Sequence, residues 1–421
     1  MRWFVLLLLA LTGTPVGAAE FTTLKGHGGP VMAIAALPDG RVVTGSFDNS
    51  VGMWSGRVPS WLEGHDAAVV ALAATTDGKV ISGGDDFTLR LWPDGAVLGR
   101  HEGKVAALAV RPGQSAVASG GWDGAIHLWS LTGAAGLRLP DPGAGVNALH
   151  FAPDGAALYA GTSDGRLLRY DMAGGAPVPV IRHGFGINTL VGDAGWLAYG
   201  TVDGSTRIVD PSGAEIADFT LDRRPILSMA YHAGSGLLAV GDGDGFIMLL
   251  DSSDWSLVSD LRAMRQGPVW ALSFSPDGET LYAAGLESIV YAWPVDTLDR
   301  VDPVAAAPDF LRAPETMPNG ERQFTRKCSI CHALNPGPSR KAGPTLHGVF
   351  GRRAGTVEGY PYSPILESSE IVWSETTIDA LFDAGPDHYI PGSKMPMQVI
   401  AAEKDRMDLI AFLKRATREG G

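Results

Sequence analysis

The chain has 421 residues, 33 Lys and Arg against 46 Asp and Glu, a formal net charge of -13 and 45% hydrophobic residues. That length exceeds the ~250–300 residues at which a single hydrophobic core stops growing, so at least two domains are expected. Two cysteines exclude a disulfide framework, and the acidic balance argues against general nucleic-acid binding, which needs clustered Lys and Arg.

Residues 1–19 start with Arg2, run through the apolar stretch 3–11 and end on Val16-Gly17-Ala18-Ala19 before Glu20. A basic start, a short apolar core and a small-residue exit predict a secretory signal peptide of bacterial type, and hence a periplasmic protein. The apolar stretch is shorter than the ~20 residues of a membrane-spanning helix. An uncleaved segment that anchors the chain in a membrane is the alternative. No later segment is apolar enough to cross a bilayer, so no integral span is expected in the mature chain.

Over residues 20–298 a short pattern returns seven times: small residues, Gly, two variable positions, an acid, and an aromatic or apolar residue six further on. It reads TGSFDNSVGMW, SGGDDFTLRLW, SGGWDGAIHLW, AGTSDGRLLRY, YGTVDGSTRIV, VGDGDGFIMLL and AAGLESIVYAW. The acids are Asp48, Asp86, Asp123, Asp164, Asp203, Asp244 and Glu287, spaced 38, 37, 41, 39, 41 and 43 residues apart. Alternating apolar runs joined by tight turns predict short antiparallel strands. One such unit cannot bury its own faces, so seven are expected to stack around an axis as an all-β propeller.

The pattern resembles the WD-repeat propeller family. The resemblance implies bracing sets of His27, Thr44, Asp48 and Trp54, then His65, Ser82, Asp86 and Trp92, then His101, Ser119, Asp123 and Trp129. Ala160 and Ala283 replace the hydroxyl residue in later repeats, and Val209 and Leu250 replace the Trp, so those repeats are expected to be braced by packing. By the same resemblance, residues 21–27 would supply the outer strand of the seventh blade and the propeller would bind protein.

Residues 299–317 are rich in Pro and Ala and read as a linker. A second, smaller domain is expected over 318–421. It holds Cys328-Ser329-Ile330-Cys331-His332, and Cys-x-x-Cys-His is the attachment signature of a c-type haem. Two thiols one helical turn apart can form thioethers to the two vinyl groups, with the adjacent imidazole aimed at the iron. A structural zinc site would need a second cysteine pair, and the chain has none.

The stretches GERQFTRKCSICH, AGPTLHGVFGRRAG, GYPYS, HYIPGSKM and DLIAFLKRAT resemble mitochondrial-type class I cytochrome c, an all-α fold, almost end to end. The resemblance implies one haem c held through Cys328 and Cys331, His332 as proximal ligand and Pro344 as the carbonyl that fixes its tautomer. It also implies Met395 as sixth ligand and Arg352, Tyr362 and Trp373 around the propionates. Gly320 and Phe324 would meet Leu409 and Phe412 between the first and last helices. Met397 and Met407 are rivals for the sixth position, and His347 and His388 could make a bis-histidine site. The family's lysine-rich docking face is reduced here to Lys327 and Lys394, while Leu381 and Leu366 replace a tyrosine and an asparagine near the haem.

Residues 318–421 carry 13 basic and 12 acidic residues, a net of +1, leaving 20 against 34, or -14, on the rest of the chain. A haem with both axial positions filled has no open site for substrate, which points to one-electron transfer with redox partner proteins. The competing expectation is an enzyme whose active site lies in the propeller funnel, with the haem as its electron outlet. Seven propeller histidines, His27, His65, His101, His127, His150, His183 and His232, superficially suit a copper cluster, although three of them are bracing positions.

Overall fold

The computed structural model describes residues 21–113, 116–132, 136–223, 225–300, 316–337, 339–396 and 398–418. The expected signal peptide and most of the expected linker lie outside these residues. Among them, seven sheets of four antiparallel strands follow one another along the chain, as the repeat pattern predicts.

Six sheets are built from consecutive strands, and the seventh is not. Its inner three strands, Val269–Phe274, Thr280–Gly285 and Ile289–Pro294, are completed at the outer edge by Thr22–Lys25, with Leu24 paired to Val290. The first blade begins only afterwards, at Val31–Ala36, and this strand packs on Val269–Phe274. The ring is thereby closed by joining its start to its end, and the outer edge of Ile289–Pro294 is paired. Ala36 N donates to Ser273 Oγ across that seam at 3.2 Å.

Between later blades, inner-strand side chains reach the next blade's backbone. Asn147 Nδ2 donates to Ile187 O at 3.1 Å, Asn188 Nδ2 to Ile226 O at 2.9 Å and Ser228 Oγ to Val269 O at 2.9 Å. The cores lie between neighbouring sheets; one of them packs Val146, Leu158 and Tyr170 with Ile126 of the preceding blade.

The three expected bracing sets form. In the second blade Trp92 Nε1 donates to Ser82 Oγ at 2.8 Å, which stands 2.7 Å from His65 Nε2, while His65 Nδ1 stands 2.9 Å from Asp86 Oδ2. With the serine oxygen accepting from Trp92, its proton can go to Nε2, leaving Nδ1–H to donate to the carboxylate. The first and third blades repeat these contacts with Thr44 and Ser119.

The later blades depart from the expectation of packing alone. Thr162 and Thr201, two residues before the turn acids, donate to Asp164 and Asp203, and His183 Nε2 stands 3.3 Å from Asp203. In the sixth blade the bracing carboxylate is Asp242, two residues before the turn acid Asp244. Asp242 accepts the N–H groups of Asp244 and Phe246, each at 2.9 Å, and pairs with Arg223. The residue two before the turn acid thus supplies an oxygen in three blades where the His set is incomplete.

The second domain is helical: α1 Asn319–Lys327, α2 Pro364–Glu367, α3 Glu375–Ala384, α4 Pro386–Tyr389 and α5 Glu403–Ala416. Ser374 opens α3 with a reciprocal cap to Thr377, satisfying donors that the first turn would otherwise leave free. α1 and α3 both pack on α5. Their apolar positions converge in a core of Phe324, Ile378, Phe382, Leu409, Ile410 and Leu413. Buried Arg406 ties α5 to Asp379 and Asp383 of α3 and to the carbonyls of Ile400 and Ala401.

Candidate cofactor site

Cys328 caps α1, and the chain continues for one more turn, with Cys331 N and His332 N both donating to Cys328 O at 3.0 and 2.8 Å. This turn puts both thiols and the imidazole on one wall of a cavity of about 1370 Å³. Burial pushes the Cys328 thiol up to about 12 and raises that of Cys331 as well, so both stay protonated until they react.

His332 Nδ1 stands 2.7 Å from Pro344 O. That carbonyl fixes the proton on Nδ1 and leaves the Nε2 lone pair for a ligand. Burial holds the imidazole below its ordinary range and hence neutral, the Pro344 bond acting in the opposite direction. Gly343, bonded through its N–H to Cys331 O, lies so close that a Cβ there would stand 2.4 Å from the ring.

Met395, Tyr362, Trp373 and Arg352 line the same cavity, with Leu366, Leu381 and Phe382 supplying apolar wall. Ser393 and Ile390 hold the turn before Met395: Ser393 N donates to Ile390 O and Met395 N to Ser393 Oγ. Among the described residues Met395 is the thioether on this wall. Met407 lies half exposed on α5, His388 is largely exposed beside Asp387, and His347 contributes no wall. Met397 lies outside the described residues.

Arg352 is more constrained than its predicted propionate role requires: its guanidinium donates to His347 O at 2.6 Å and Thr345 O at 2.8 Å, clamping the loop after Pro344. The sequence reading missed Tyr360, whose ring meets that of Tyr362 edge-on at 4.7 Å and whose hydroxyl donates to Ala342 O. Burial pushes Tyr360 up to about 12 and also raises Tyr362. The GYPYS stretch carried both tyrosines, but only alternation within it could have shown that they share a face.

The cavity suits a haem. Two protonated thiols and one oriented imidazole stand on one wall, a thioether and aromatic rings on the rest, and Ser363 Oγ and Gln398 Oε1 are buried at its lining with no partner among the described residues. An apolar disc with a polar edge would satisfy both kinds of surface.

The Gly320–Phe324 contact also forms. A Cβ at Gly320 would stand 2.0 Å from Asp408 O, and the rings of Phe324 and Phe412 are 5.5 Å apart.

Residues 318–417 match the family described as "Cytochrome c", and 19–55, 57–93, 95–130 and 255–293 match "WD domain, G-beta repeat". The chain is 42% identical over 105 residues to a cytochrome c of Sesamum indicum, covering 25% of this chain and 93% of that protein. It is 42% identical over 100 residues to a cytochrome c of Nigella damascena, covering 24% and 88%, and 43% identical over 99 residues to one of Gossypium barbadense, covering 23% and 87%. Through this domain the chain belongs to the cytochrome c family. In it a cytochrome c domain follows a seven-bladed WD-repeat propeller.

The cytochrome c domain implies one covalently bound haem c and electron transfer, and the WD repeats imply a protein-interaction module. The WD matches fall on blades one, two, three and seven, the four whose signature position holds Trp. Blades four to six keep the same four strands with Tyr170, Val209 and Leu250 there.

Of the seven propeller histidines, His27, His65 and His101 are committed to bracing, and His127 stacks on Trp129 at 5.0 Å. His183 meets Asp203, and His232 meets Ser235 and Pro276 O. His150 Nε2 is buried with no hydrogen-bond partner among the described residues, and burial lowers the imidazole to about 4. Among the described residues no three His, Cys, Asp or Glu side chains converge as a metal site. No helix of the described residues is long and apolar enough to cross a membrane.

Proposed function

We propose that this protein is a periplasmic one-electron carrier in which His332 and Met395 are the axial ligands and the propeller docks redox partner proteins. What supports the reading is that Cys328, Cys331, His332 and Met395 line one cavity while Pro344 O fixes the imidazole tautomer. When bound, the haem supplies an iron that cycles between two oxidation states. The chain's part is to hold and insulate it. Pro344 orients His332, the Ser393 turn presents Met395, and Leu366, Leu381 and Phe382 exclude water from the apolar faces. His332 and Met395 would hold the iron between them, and a haem so held would supply one-electron exchange rather than a site for substrate. Periplasmic export rests on the character of residues 1–19.

The test is cofactor and metal analysis of the exported protein together with a redox titration. One haem iron per chain and a reversible one-electron wave are expected. Stoichiometric copper, a quinone or a second haem would replace this reading with the funnel enzyme. Cell fractionation and amino-terminal sequencing check the location: a soluble periplasmic protein starting near Glu20 is expected, and retention of residues 1–19 in a membrane fraction would mean an anchored carrier.

A further inference from the structure

The wall of the cofactor cavity is not built by the cytochrome domain alone. Residues 47–50, 63–68 and 85–87 of the first two blades line the same space. Trp61 and Glu63 belong to the outermost strand of blade one, Val58–Glu63, and Asp66 to the connection into blade two.

Several contacts cross between the domains here. The Arg340 guanidinium lies 4.0 Å over the Trp61 ring and donates to Glu63 Oε1 at 3.0 Å. Lys394, adjacent to Met395, donates to Asp66 Oδ1 at 3.2 Å. Gly28 admits the backbone of the 340 loop, since a Cβ on it would stand 2.0 Å from Arg340 O. Burial, the largest influence on Lys341, lowers its ammonium, while the charge of Asp48 reaches it and acts in the opposite direction.

Opposite charges thus line the two sides of one cavity. Asp48 and Asp86 are used in blade bracing, whereas the side chains of Glu63 and Asp66 reach across to Arg340 and Lys394. This also gives a local meaning to the division of charge, -14 on the rest of the chain against +1 on residues 318–421. Both ion pairs are partly exposed, so each is weak and sensitive to salt. Because both faces belong to one chain, weak pairs suffice to populate the contact.

We propose that the acidic rim of blades one and two is an intramolecular docking site for the chain's own haem crevice. The propeller then holds the crevice edge that an external redox partner would need, and releases it when salt or a competing acidic surface displaces Glu63 and Asp66. This regulatory consequence rests on the carrier function proposed above; the docking contact can be tested without any electron transfer.

Treating the full-length holoprotein with a water-soluble carbodiimide joins amines to carboxylates already in contact, and peptide mass spectrometry locates the amides. An intrachain Lys394–Asp66 link is expected at low ionic strength, with Lys414–Glu375, an ion pair inside the cytochrome domain, as the internal control. The Lys394–Asp66 link should be lost in about 1 M salt, where the screening length is ~3 Å. It should also weaken in Glu63→Lys, which keeps both coupled groups and changes a side chain 71% exposed. Coupling of the control pair without the Lys394–Asp66 link overturns the proposal, as does a link found only between two chains. An unchanged yield in both high salt and Glu63→Lys overturns release by charge competition. A parallel redox titration reports separately on the carrier function.

Discussion

In the seventh blade Ala283 holds the place that Ser82 and Ser119 hold in the second and third, and the buried Trp293 Nε1 has no hydrogen-bond acceptor among the described residues. The equivalent Trp54, Trp92 and Trp129 donate to Thr44, Ser82 and Ser119 at 2.7–2.8 Å. A buried N–H without a partner costs about 1–3 kcal/mol, and a restored bond regains ~1 kcal/mol. Ala283→Ser should therefore raise the stability of the propeller transition by about 1 kcal/mol. Calorimetry of the propeller transition, taken apart from that of the cytochrome domain, checks this; a fall in stability would mean that the added oxygen does not fit.

The second blade should carry an acid-dependent contribution. Desolvation is the largest influence on Asp86 and acts upward. The hydrogen bond and charge of His65, with the N–H groups of Asp66 and Thr88, outweigh it and hold the carboxyl at about 2, below its ordinary 3.8. A carboxylate depressed by folding stabilises the protein above its unfolded pKa and loses that contribution as pH falls through the folded one. The window is therefore about pH 4 down to about pH 2, and the contribution, discounted for solvent screening, is ~1–2 kcal/mol. Asp86→Asn should lower stability at neutral pH and flatten its decline across this window. Denaturant titrations between pH 2 and 6 measure both; an undiminished slope would assign the acid sensitivity to Asp48 and Asp123, which are depressed as well.

The blades were legible because the turn acid and the aromatic or apolar residue six positions later recur at nearly constant spacing, and hairpin register carries that spacing into space. Cys328, His332 and Pro344 were legible because the attachment motif is local and the proline lies in a stretch of family sequence. The sixth blade's Asp242 escaped because acids stand at both 242 and 244, and only backbone geometry shows which one accepts the turn N–H groups. Arg340 and Trp61 escaped for another reason. They are separated by most of the chain, and no periodicity or motif couples an outer propeller strand to a cytochrome loop.

The crossing of α1 and α5 depends on one missing methyl group. At Gly320 a Cβ would lie 2.0 Å from Asp408 O and 2.9 Å from Phe412 Cβ, contacts that only a shift of helix backbone can relieve. Overpacking of this kind costs about 1–3 kcal/mol. Gly320→Ala should lower the stability of the cytochrome domain by that amount despite the better helix propensity of alanine, and should leave the propeller transition in place. Haem-band and strand-sensitive circular dichroism melts separate the two; equal stability would show that α1 can move away from α5 without loss.

The choice of sixth ligand can be settled spectroscopically. Met395 stands on the cavity wall behind a turn fixed by Ser393, whereas Met407 is 50% exposed on α5 outside it. Thioether ligation gives a weak absorption band toward the red end of the oxidised spectrum. Met395→Ala should abolish that band and lower the haem-band melting temperature, while Met407→Ala leaves both unchanged. Met397→Ala completes the set. Loss of the band in Met397→Ala and its survival in Met395→Ala would move the ligand two residues along the chain. Loss in Met395→Ala alone would identify Met395 as the thioether that, with His332, would hold the iron.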